Sequence, residues 1–101
     1  MTKVICSITR CDGPLYFECR DHSEYKNPDT GNNDVCVAVS TLCCMLTRYV
    51  LKQGYEPDLC GDGHVKIDIE KSNIKINEVF KAVMLEFTAL SEHFPDHVKV
   101  Y

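Results

Sequence analysis

Residues 35–53 constrain the fold more than any other stretch. Val35, Val39, Leu42, Leu46, Tyr49 and Val50 recur at helical spacing, so one helix carries them all on one stripe. Ala38, Cys43 and Met45 widen the apolar surface well past that stripe. A helix this apolar has to be covered on more than one side, by a sheet and by a partner subunit. Gly54 is a good C-terminal stop, and Lys52 suits the negative end of the helix dipole.

The flanking sequence supplies that sheet. Residues 2–9 alternate, with Val4, Cys6 and Ile8 on one face. Cys11-Asp12-Gly13-Pro14 reads as a turn into a second strand, 15–20, with Leu15, Phe17 and Cys19 on one side. Residues 55–62 read as loop. Val65, Ile67 and Ile69 then alternate with Lys66, Asp68 and Glu70, the pattern of a half-buried strand. Ser72-Asn73 reads as a turn into a short strand through Ile74 and Ile76. Asn77 reads as the cap of a second helix over 78–93, with Glu78 at its start. Phe80, Val83, Phe87, Leu90 and Phe94 form its apolar face, Pro95 stops it, and Val98 and Val100 close the chain as a strand. The order β-β-α-β-(β)-α-β predicts an α+β fold, a small mixed sheet with two helices. At 101 residues, 1–101 is a single domain.

The formal net charge of −4 opposes a general nucleic-acid binder, which would carry a basic stripe. No apolar run reaches the roughly 18 residues of a membrane span. Seven cysteines are an odd number, with no Cys-x-x-Cys pair. Met1-Thr2-Lys3 leads directly into a strand-like run, without the pattern of a signal peptide. The expectation is a reduced, cytoplasmic protein rather than a disulfide framework. His64, His93 and His97 form no metal motif and no phosphate-cradling glycine loop is present, so no metal and no cofactor is expected.

The candidate chemistry lies at the two ends of one loop. His22 ends the second strand. Asp34 reads as the N-cap of the first helix, which puts Cys36 in its first turn. Unpaired amides and the helix dipole there favour a thiolate. Strand end and helix start can converge, bringing imidazole to sulfur in the arrangement a cysteine nucleophile needs. Ser40 lies one turn after Cys36 on the same face. Asn33 and Asp34 are placed to orient the histidine or line the site. The loop 23–34, with Ser23, Gly31 and Asn32, reads as an exposed, mobile lid over a substrate. The structural alternatives are a Cys36 that merely packs like Cys43 and Cys44, a surface His22, and a Ser40 hydroxyl bonded back to the i−4 carbonyl.

Asp21-His22-Ser23, Gly31 through Ser40, and the C-terminal run Leu90 through Val100, with its Phe94-Pro95 pair and Val98-Lys99-Val100 strand, together resemble the bacterial ribosomal-processing cysteine proteases, the Prp or YsxB-like family. Asp21 and Ser23 stand where that family has glycine and alanine, and Asn33 stands where it has aspartate. The resemblance implies a cytoplasmic homodimer that removes a short N-terminal extension from a large-subunit ribosomal protein. It assigns His22 as catalytic histidine, Cys36 as nucleophile and Ser40 as a supporting residue, with the loop ordering over substrate. Helix-start amides, that of Cys36 included, would hold the oxyanion. Two other classes compete: a non-catalytic ribosome-associated assembly protein on the same fold, and a thiol redox sensor with a resolving cysteine near Cys36.

Overall fold

The computed structural model describes residues 1–9, 12–61 and 63–101. In chain order the elements are β1 (Thr2–Ile8), β2 (Leu15–Arg20), α1 (Asp34–Lys52), β3 (Leu59–Gly61), β4 (His64–Ile69), α2 (Ile74–His93) and β5 (Val98–Val100). They form one five-stranded sheet in the order β3-β4-β2-β1-β5. Only the β1–β5 pair is parallel; the other three ladders are antiparallel. This is the α+β fold that the periodicities predict. Cys11 of the first turn and Asp62 of the 55–62 segment lie outside the described residues.

Alternation decides which face is buried. Leu15, Phe17 and Cys19 of β2 stand opposite Ile69, Ile67 and Val65 of β4. All six are buried, together with Val4 of β1. The intervening Tyr16, Glu18, Lys66 and Asp68 face the other way and are half-buried or exposed. Both helices contribute to the one apolar core: Val35, Val39, Cys43, Leu46 and Val50 from α1, and Ile76, Phe80, Val83 and Phe87 from α2. The result is two layers, helices over one face of a sheet. At the centre, the Phe17 ring meets Phe80 at 5.8 Å and Phe87 at 5.9 Å between centroids.

Three expectations are corrected. The N-cap of α1 is Asn33, whose side chain accepts from the Cys36 amide; Asp34 is the first helical residue. Second, Ile74 and Ile76 form the first turn of α2 rather than a strand. Asn73 caps that helix by accepting from the Ile76 amide at 3.0 Å, while Asn77 is buried inside it and bonded to Ser72. A two-residue apolar alternation does not distinguish a strand from a helix start, and a local cap outcompetes a strand that has no neighbour to pair with. Third, the 55–62 segment contains β3, an edge strand exposed at all three positions. Burial periodicity could not reveal it, because nothing on it is buried.

By length and composition α1 is also long and apolar enough to cross a membrane. This differs from the expectation that no apolar run is that long: Ser40, Thr41, Thr47 and Arg48 interrupt the run but leave the helix apolar on average. Its buried face packs on the sheet of this domain. As expected, α1 ends before Gly54, which takes φ +92, while the Tyr55 amide closes back on Val50 O at 2.9 Å. Asn73→Ala should cost about 1 kcal/mol of stability by removing the α2 cap, measurable by urea unfolding. An unchanged midpoint would show that the cap contributes nothing.

Candidate active site

The ends of β2 and α1 converge through Asn33. Its side-chain oxygen accepts from the Cys36 amide at 3.0 Å, and its side-chain amide donates to Ser23 O at 2.7 Å. The same Ser23 carbonyl accepts from the Cys36 thiol at 3.6 Å. Residue 23, just past the strand, is thereby tied to the first turn of the helix by one asparagine and one cysteine. Ser23 itself is buried, and its hydroxyl accepts from the Tyr25 amide at 3.1 Å.

A cavity of about 280 Å³ opens beside this junction. His22, Cys36 and Ser40 all line it, so the three residues singled out in the sequence come together. Asp21 precedes His22 at φ +70, a left-handed conformation uncommon outside glycine. The Asp21 amide donates to Gly63 O at 2.9 Å, and its carboxylate pairs with Lys3 at 3.6 Å. These contacts fix the backbone from which the imidazole projects.

Gly63 seats the ring. Its φ is +78, and a Cβ placed on it would lie 2.6 Å from His22 Nε2. Only glycine combines that backbone conformation with so close an approach. Gly63 thus forms the wall behind the imidazole, with Cys60, Gly61 and His64 also lining the cavity. Sequence reasoning missed this wall. Its available signal was the pair Gly61 and Gly63 just before His64, a tight turn ahead of a clear strand.

The other named residues fall elsewhere. Asp34 is exposed and accepts from Asn27 Nδ2 at 2.6 Å, so it braces the loop rather than the histidine. Gly31 and Asn32 sit at the exposed end of the loop, and neither lines the cavity. The loop has internal order. Asn27 Oδ1 accepts from the amides of Asp29 and Thr30, and Gly31 N donates to Asn27 O at 2.8 Å. Tyr25 packs edge-on against Phe94 at 5.0 Å and His97 at 5.4 Å. The Cys36 amide, expected to serve an oxyanion, is occupied by its own cap.

The floor of the cavity is apolar and rich in sulfur, with Cys19, Val39, Cys43 and Val65 below and the exposed Cys44 and Cys60 at the rim. Hydrogen bonding to Cys19 and burial push the Cys43 thiol up, which keeps it protonated and inert. Among the described residues, six cysteines are free thiols, and no cluster of three or more ligands could hold a metal ion.

His64 Nε2 lies 2.6 Å from Glu18 Oε2, and Tyr16 donates to Glu18 Oε1 at 3.1 Å. The hydrogen bond from His64 holds the Glu18 carboxyl below its ordinary value of 4.5, against burial, and Tyr16 adds to the effect. A carboxyl lowered by folding stabilises the fold above the unfolded value and loses that contribution as pH falls through the lowered one. Glu18→Gln should therefore flatten the acid limb of stability, read as urea midpoint against pH below 4.5. Parallel wild-type and variant curves there would remove the pair's role.

Compared with known proteins, the chain matches no protein-family model and no curated protein.

Proposed function

We propose that this protein is a cysteine endopeptidase in which Cys36 is the nucleophile and His22 its base. The observation that carries the reading is one cavity lined by both residues, which come from opposite ends of one loop, with Ser40 on the same helix face. In this mechanism the Cys36 sulfur leaves the Ser23 carbonyl by rotation about its Cα–Cβ bond and passes its proton to His22. The thiolate adds to the scissile carbonyl carbon. His22 returns the proton to the leaving amine as the C–N bond breaks, and water then hydrolyses the thioester. Because the Cys36 amide donates to the Asn33 cap, the oxyanion takes its donors from other groups, and the hydroxyl of Ser40, which lines the same cavity, is one candidate.

The resemblance of 21–23, 31–40 and 90–100 supports a specific substrate, the N-terminal extension of a large-subunit ribosomal protein. It also supports a cytoplasmic homodimer. The free thiols suit a reducing compartment. Val37, Met45 and Leu51, exposed on α1, suit burial against a second subunit. A second reading, a non-catalytic binding protein, is favoured by the Cys36 thiol being engaged with Ser23 O while its amide serves as a cap ligand.

One experiment separates the two. Iodoacetamide labelling followed by peptide mass spectrometry compares Cys36 with the exposed Cys44 and Cys60 and with Cys6, which burial pushes up to about 11. The peptidase reading expects Cys36 to react fastest, to slow to the rate of Cys44 in His22→Ala, and to be required for peptide cleavage. A Cys36 no faster than Cys44 in the wild type, with no cleavage, establishes the binding protein instead.

A further inference from the structure

The substrate edge of this site is open. β3, Leu59–Gly61, is the terminal strand of the sheet, paired on one side only, and all three residues are exposed. An exposed edge presents backbone donors and acceptors to any extended chain, and proteins ordinarily blunt such edges with lysine, proline or a covering element. At three residues β3 is short, which is itself such a device, but Leu-Cys-Gly carries no lysine or proline and Leu59 leaves 42% of its surface exposed. The edge is also continuous with the candidate site. Cys60 and Gly61 line the cavity, and the strand leads into Gly63, against which the His22 ring rests.

Acids outnumber bases around this edge. Between Lys52 and Lys66 the sequence holds Glu56, Asp58 and Asp62 and no lysine or arginine, against Lys66 opposite Leu59 on β4 and Arg48 at the cavity. Glu56 and Asp58 are exposed, immediately before β3, on a protein of net charge −4. An extended segment lying there gains from basic side chains of its own.

We propose that β3 is the docking edge for the substrate: a basic, extended peptide adds to Leu59–Gly61 as a sixth strand and thereby carries its scissile bond past Gly63 to Cys36 and His22. Backbone pairing supplies the affinity, the apolar cavity accepts the side chains that point toward α1, and Glu56 and Asp58 select lysine or arginine. The proposal rests on the peptidase reading and adds to it the conformation, the path and the charge of the substrate.

The test begins with a random library of acetylated peptides cut by the wild-type protein, with cleavage sites read by mass spectrometry. The best-cut peptide is then remade with single backbone N-methyl groups stepped along it, and with single Lys or Glu residues stepped likewise. Strand addition expects N-methylation to reduce kcat/KM by about tenfold at every second position on one side of the bond, because alternate amides point to the edge. It also expects a preference for Lys over Glu that reverses in a Glu56→Lys, Asp58→Lys variant shown to be folded by circular dichroism. Cleavage with no alternation and an unchanged charge preference overturns the docking edge and leaves the peptidase standing. If the wild type cuts no peptide in the library and Cys36 labels no faster than Cys44, the peptidase falls and the docking edge falls with it.

Discussion

Phe17→Ala is expected to lower the unfolding free energy by about 3–5 kcal/mol. Phe17 has no exposed surface. Its ring is the meeting point of the sheet with α2, touching Phe80 edge-on and Phe87 at a tilt. Its backbone lies on β2, the central strand, paired with both β1 and β4. Alanine leaves a cavity that β2 cannot close without breaking a ladder on one side or the other, so the loss exceeds the transfer term alone. Urea unfolding measures it. A loss under about 1 kcal/mol would mean that α2 collapses onto the gap, and the rigid two-layer core described above would be wrong.

Gly63→Ala is expected to disable the site while leaving the fold in place. A left-handed alanine costs about 1–2 kcal/mol, which a domain of this size tolerates. The functional cost is larger, because the new methyl group would lie 2.6 Å from His22 Nε2 and one of the two has to move. If His22 activates Cys36, a displacement of about 1 Å at the base costs about a hundredfold in peptide cleavage. Labelling of Cys36 then falls to the rate seen in His22→Ala. The circular dichroism spectrum should match wild type. Full cleavage by a folded Gly63→Ala protein would show that the seat of the imidazole is irrelevant to the chemistry, and would count against His22 as the base.

These two positions show what the sequence made readable. Phe17 follows from alternation alone: Leu15-Tyr16-Phe17-Glu18-Cys19 can bury only one set of side chains, and the apolar set is the larger. The apolar stripe of α1, the strand at Val65–Ile69 and the closing strand after Pro95 follow in the same way. Gly63 does not, because its importance comes from a contact with a residue 41 positions earlier, and spacing rules are local. The same reason hides β3, whose partners are hydrogen bonds on an exposed edge. Asn33 and Asp34 are neighbours with interchangeable capping chemistry, so the sequence reading puts the cap one residue late, on Asp34. The structure chooses Asn33, because an amide can also donate to Ser23 O, which a carboxylate cannot do. His22, Cys36 and Ser40 line one cavity. The thiol's bond to Ser23 O and the occupied Cys36 amide are tertiary facts that no motif carries.

The tie from Asn33 to Ser23 has an engineering consequence. The two ends of the intervening segment are clamped together at 2.7 Å, and Tyr25 packs its first half against Phe94 and His97, so the segment is a closed ring with its exposed turn at 28–30. An insertion in that turn lies beyond both the clamp and the Tyr25 contact. Doubling the ring's length would add only about 0.6 kcal/mol of closure entropy. An affinity tag or a fluorescent reporter can therefore be grafted there, turning the ring into a handle on a domain whose reactive corner stays where it is.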